Sequence, residues 1–211
     1  MKIKETDVNG YTVTIHTDED AQNPRKEFDN LGTMICFHRR YDLGDEYQGD
    51  IESARFYTQK VEKEGGIVLP LYLYDHSGIT ISTSPFSCPW DSGQVGVIVL
   101  EREKILAEYG QGKKRVSKAM RERAIKYLEG EVKTYDQYLT GEVYGYMIEG
   151  PDGSDLDSCW GFYGLEYCED EAKGMIAHYI GEAFRKRIAD VKMFIRNRVP
   201  LYVRAERLTK Y

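Results

Sequence analysis

Three apolar segments in the middle of this chain are joined by links too short for anything but antiparallel pairing. The stretch 67–74 is almost continuously apolar, 79–83 alternates, and 95–100 is a β-branched run. They are separated by Asp75-His76-Ser77-Gly78 and by the loop 85–93. A parallel crossover takes a dozen or more residues, so neither link can carry one. The simplest arrangement is an antiparallel meander, in which successive links fall at opposite ends of the sheet. Pro70 has no N–H for a ladder and must then sit at an edge or a bulge.

The remaining segments fit around that sheet. Asn9-Gly10, between strands 2–8 and 11–16, is the pair best suited to a two-residue type I′ turn. A short apolar strand is expected over 33–37, and a helix over 51–63 with Asp50 as N-cap and Gly65-Gly66 as the stop. A short helix follows at 101–109. In the longer one, 117–139, Ile125, Leu128, Val132, Tyr135 and Leu139 make one apolar stripe. A second hairpin, 142–149 with 156–163, turns at Gly150-Pro151-Asp152-Gly153. A long helix over 169–197 carries Met175, Tyr179, Ile180, Phe184, Ile188, Val191 and Ile195 on one face, which predicts a buried stripe. Pro200 ends it, and the tail 201–211 is basic and aromatic. Strand groups separated by helices predict one α+β domain over 1–211, with a mainly antiparallel sheet of about seven strands and helices on one face.

Charge narrows the function classes. Lys and Arg number 29 against 35 Asp and Glu, a net charge of −6. Sequence-independent binding to nucleic acid depends on cations neutralising phosphates, so the balance argues against direct nucleic-acid binding. The acid excess is also too thin for mimicry of a duplex. A local basic face remains open, from Lys113-Lys114-Arg115 and from the stretch 185–207. No apolar run approaches the roughly 18 residues of a membrane span, and the first residues lack the apolar core of a signal peptide. Cys36, Cys88, Cys159 and Cys168 show no framework spacing. The expectation is a cytoplasmic protein with reduced thiols, no cofactor and no membrane partner.

Chemistry-bearing residues concentrate beside glycines. If the two links of the meander met, Cys88, His76 and Asp91 or Asp75 would supply a nucleophile, a base and an orienting acid. The alternative makes Asp75 and Ser77 turn formers and Cys88 a small buried apolar residue. Cys36-x-His38 places two ligand types on one face of a strand, yet the paired spacing of a structural zinc site is missing. No metal is expected. Arg39 and Arg40, followed by Asp42-Leu43-Gly44-Asp45, offer guanidinium forks for phosphate or carboxylate, or else an internal Arg–Asp network pinning the loop. Trp90 and Trp160 sit in similar Asp/Ser/Gly contexts and can either anchor a partner or pack over a turn. The candidate binding residues are Arg39, Arg40, Asp45, Trp90, Asp91 and Trp160. No phosphate-binding loop is present, and no complete catalytic set stands out.

The segments 29–45, 69–78, 89–96, 132–145 and 157–164 resemble a family of uncharacterised proteins encoded by bacteriophages and other mobile elements. That resemblance implies a small accessory protein made in a bacterial cytoplasm, and carries no functional residues with it. Such proteins often work by occupying a host protein, defence nucleases included. The expected function is therefore binding to a host protein or protein–nucleic-acid complex, with inhibition of a defence or nucleic-acid-processing assembly as the outcome. The alternative is a small hydrolase or transferase for a phosphorylated or nucleotide-like ligand, using Arg39, Arg40, Asp45, His76 and Asp91.

Overall fold

The computed structural model of the protein describes residues 1–198; the expected tail 201–211 lies outside them. The fold is α+β. The described residues form eight strands in two four-stranded sheets, with five helices, where about seven strands in one sheet were expected. Contacts divide the chain into two compact units. Among the described residues, the first takes in Met1–His16, Gly145–Trp160 and 166–198; the second takes in Thr17–Tyr144 and Gly161–Leu165.

The first unit is built on a sheet of order β1-β2-β7-β8. β1 (Lys2–Val8) and β2 (Tyr11–Thr17) form the N-terminal hairpin. Asn9 (φ 53°) and Gly10 (φ 85°) both take the left-handed conformation that a type I′ turn requires, and Val8 pairs with Tyr11. Tyr11, Val13 and Ile15 are buried on one face of β2, whereas all of β1 is exposed. β7 (Val143–Glu149) and β8 (Asp155–Tyr163) form the second hairpin, whose turn is closed by Gly150 N–H donating to Ser154 O at 2.7 Å.

The long helix of this unit, Leu165–Arg198 (α5 below), begins at Leu165 rather than 169. Lys4 Nζ pairs with Glu169 at 2.8 Å, and Tyr179 Oη donates to Leu156 O at 3.2 Å, tying its first half to β1 and β8. Cys168, Ala172 and Ile176 are buried there. The expected buried stripe does not continue: Phe184 is 64 % exposed and Val191 51 %. The cause is length. A helix of 34 residues runs to about 51 Å at ~1.5 Å per residue. The seven residues of β1 or β7 span only about 23 Å at ~3.3 Å each. Half the helix therefore has no sheet to pack on among the described residues.

The second unit holds the sheet β3-β6-β4-β5: β3 (Thr33–Cys36), β4 (Ile67–Asp75), β5 (Ile79–Ser82) and β6 (Ser92–Leu100). All its pairings are antiparallel. The helices do not share one face. α2 (Ile51–Lys63), capped by Asp50 accepting from Ser53 N, lies on one side. α3 (Arg102–Tyr109) and α4 (Lys118–Leu139) lie on the other. Met34 and Ile98 belong to the core with Ile105, Ala124, Leu128, Val132 and Tyr135, while their neighbours Ile35 and Val99 pack with Ala54 and Val61. Adjacent strand residues point to opposite faces, so this split marks a sheet covered on both sides. The uninterrupted apolar run in β6 is what a strand buried on both faces requires. (A helix of one turn, α1 in chain order at Pro24–Glu27, precedes β3.)

The order also departs from a meander, because β6 pairs with β4 instead of β5. Pro70 then needs no edge strand. It faces Val97 of β6, while β5 reaches only from Tyr72 to Asp75, and a bulge follows at Leu71/Tyr72. No helix of the described residues is long and apolar enough to cross a membrane.

Candidate functional site

Skipping β5 carries both links of the central strands to one end of the sheet. Asp75 pairs with Ile79 across the tight turn, and Tyr74 pairs with Ser92 at the start of β6. The loop between β5 and β6 therefore returns to the end of β4 that it left. Asp75 N–H donates to Asp91 O at 2.8 Å, joining the two links through their backbones. β3 runs antiparallel to β6 and extends past Cys36, with Phe37 N–H donating to Val95 O at 2.8 Å. The residues that follow it reach the same end.

The result is an open cleft of about 680 Å³, lined by Phe37, His38, Arg39, Arg40, Leu73, Asp75, Trp90, Asp91 and residues 92–95. Its charges are mostly matched. Arg40 pairs with Asp75, which also accepts from Tyr41 Oη at 3.3 Å. Tyr41 is stacked on His38, ring centroids 5.0 Å apart, and the Arg40 guanidinium lies 5.4 Å from its centre. His76 Nδ1 lies 3.2 Å from Asp91 Oδ2, and its ring stacks on Tyr74. Two groups stay uncommitted. Arg39 has no acidic partner among the described residues, and Trp90 is 91 % exposed with no ring against it.

The expected catalytic set comes together with the acid, rather than the imidazole, as the shared contact. Cys88 Sγ lies 3.9 Å from Asp91 Oδ2, the oxygen that also meets His76. One carboxylate oxygen thus contacts both thiol and imidazole. A thiol nucleophile needs the imidazole in the middle, where it can take the proton.

Asp45 is not in the cleft. It is held by Arg25, whose Nε donates to Oδ1 at 2.9 Å and whose Nη2 donates to Oδ2 at 2.6 Å. Arg25 also donates to Glu131 Oε2 at 2.9 Å and to Gly32 O at 2.7 Å, and its side chain is 1 % exposed. Burial works against the guanidinium charge, but Asp45 and Glu131 outweigh it and raise its pKa above the ordinary value. Asp45 accepts from Met34 N as well, at 2.8 Å, and Glu131 from Leu31 N at 2.6 Å. The internal Arg–Asp network foreseen for this loop exists, but with Arg25 as its cation in place of Arg39 or Arg40. Neither Arg25 nor Glu131 was visible in the sequence, since partners 20 and 106 residues from Arg25 leave no local pattern.

Gly44 makes the arrangement possible. Its φ is +78°, and a Cβ there would lie 2.6 Å from Met34 O. Cys36 Sγ sits beside the same turn, and burial, with Asp45 as a second cause, pushes the thiol up to about 12. It is a core thiol, while His38 lines the cleft. Among the described residues no three His, Cys, Asp or Glu side chains are grouped to hold a metal. Trp160 lies in the first unit. Its ring covers Gly145, where a Cβ would come within 2.2 Å of it, and lies 6.1 Å from His16. This is an aromatic packed across a glycine of the neighbouring strand.

No protein-family model matches the chain, and no curated protein or solved structure is significantly similar to it.

Proposed function

We propose that this chain is a binding protein that occupies a host macromolecule through the cleft at the end of the second sheet, with Trp90 and Arg39 as its anchors. The supporting observation is the 91 % exposure of Trp90 in a cleft where Arg39 is the unmatched charge. An indole in water gives the fold no packing energy, and Trp and Arg are the residues most enriched among interface hot spots. Asp75 and Asp91 hold Arg40 and His76, which leaves a pre-shaped polar rim around the anchor. The net charge of −6 favours a protein partner over bare nucleic acid. The resemblance to mobile-element proteins gives the setting: a bacterial cytoplasm, with a defence or nucleic-acid-processing complex as the target.

The test is capture of partners from bacterial lysate by the tagged chain. Trp90→Ala and Arg39→Ala are expected to lose the partner that the unmodified chain retains, with melting temperatures unchanged. Lys113→Ala and Trp160→Ala are expected to retain it. Retention by both cleft variants would sink the proposal. A second reading draws on one observation, the His76–Asp91 pair beside Arg39 and Arg40, which suits a phosphorylated ligand. Turnover of a phosphate ester that vanishes in His76→Ala would favour it.

A further inference from the structure

The second half of α5 is a helix whose apolar seam has no cover among the described residues. From Glu182 to Arg198 every residue is exposed. Phe184 (64 %), Ile188 (38 %), Val191 (51 %) and Ile195 (45 %) follow one another at steps of four, three and four. Those steps are the a/d spacing of a heptad. At ~100° per residue the four side chains fall within about 60° of one another, the narrow stripe of a coiled-coil seam.

The flanks of this seam carry one sign of charge. Arg185 and Lys192 occupy its e positions and Arg187 a g position. The segment 182–198 as a whole has six Lys and Arg against two Asp and Glu, on a chain whose net charge is −6. We infer that this half-helix docks an acidic helix of a partner protein, seam to seam, as a two-stranded coiled coil with carboxylates at the partner's e and g positions.

Charge and width select that occupant. In a pair of identical chains run parallel, Arg187 would face Lys192; run antiparallel, e positions would meet e positions and again set cation against cation. A helix lying on lipid needs an apolar sector of roughly 100° or more. Here Met193 stands on the opposite face, and Phe194 is occupied by the Arg198 guanidinium at 4.8 Å. A partner with glutamates flanking an apolar seam satisfies both features.

The experiment uses the full chain and a synthetic four-heptad peptide with Ile at a, Leu at d and Glu at e and g. Its control has Lys at e and g. Binding of the Glu peptide is expected at least tenfold tighter than binding of the Lys peptide, and should weaken as salt rises from 50 to 500 mM. Phe184→Ser with Val191→Ser, both at exposed positions, should abolish it with the circular dichroism of the chain unchanged. Trp90→Ala should leave it intact, which separates this surface from the cleft. Equal binding of both peptides, or of neither, would overturn the inference. So would stable dimerisation of the chain alone, or co-sedimentation with vesicles of phosphatidylserine and phosphatidylcholine that is lost in the double variant.

Discussion

His76 Nδ1 meets Asp91 Oδ2 at 3.2 Å across 15 residues of chain, and the contact exists because β6 lies beside β4. Had the strands followed one another as a meander, these residues would stand at opposite ends of the sheet. The ladder explains the choice. β6 pairs with β4 from Ile67 to Tyr74, whereas β5 pairs with it only from Tyr72 to Asp75. The longer ladder takes the more apolar strand into the middle, where both faces are covered. The outer N–H of Ile81 in β5 is then capped by Asp136 Oδ1 of α4 at 2.7 Å, which blunts that edge.

The Arg25 network should dominate the stability of the second unit. Arg25→Leu would leave Asp45 and Glu131 without their cation, and breaking a buried pair on one side costs about 3–5 kcal/mol. Urea unfolding should show that loss, with Arg25→Lys intermediate because an ammonium cannot reproduce the two-pronged contact to Asp45. A loss under ~1 kcal/mol, the value of a surface pair, would show that the network is solvated.

The two halves of α5 should respond oppositely to truncation. Ile176 is 4 % exposed, so Ile176→Ala should cost about 2–5 kcal/mol. Phe184→Ala, at 64 % exposure, should stay within about 0.5 kcal/mol of the parent chain. A large effect at Phe184 in a monomeric sample would mean that the seam is covered within the molecule.

Local signals were legible in the sequence and distant pairings were not. Asn9-Gly10 and the Asp50 cap depend on residues within a turn of each other. The α+β class followed from strand groups joined by short links. The unbroken apolar run of β6 reads equally as a strand covered on both faces or as one under helices on a single face, so its two-sided cover was not legible. Glycine-flanked loops drew attention to Arg39, Arg40, Trp90 and Asp91, which share the cleft. Asp45 had the same local look, yet it is held by Arg25 and Glu131, and a charge network is decided by whichever cation the fold buries beside it. The α5 stripe had the periodicity of a core helix, and periodicity does not tell how long the opposing sheet is.

High pH should weaken the fold through Cys36. Its thiol is raised to about 12 in the folded chain, by burial first and Asp45 second, against about 8.5 in an unfolded one. The unfolded state therefore releases this proton first. The contribution is fully present below about pH 8.5 and is lost as pH rises toward 12. Between pH 8 and pH 10.5 the parent chain should lose about 2–3 kcal/mol more than Cys36→Ala does, read from urea midpoints. Parallel curves for the two chains would mean that the thiol titrates normally.

Cys88 decides between a binding cleft and a thiol enzyme. Its sulfur and His76 both address Asp91 Oδ2, so His76 is engaged by the acid and not by the thiol. Removing the acid is the informative step. Asp91→Ala should release His76 and disturb partner capture, because the rim of the cleft loses the charge that orients the imidazole. Cys88→Ala should leave capture as it is in the unmodified chain, and the Cys88 thiol should react with iodoacetamide no faster at pH 7 than a free cysteine. A thiol that alkylates tenfold faster, and slows again in His76→Ala, would show the imidazole acting as its base. That result would place the chain among nucleophilic enzymes and make Trp90 and Arg39 part of a substrate site.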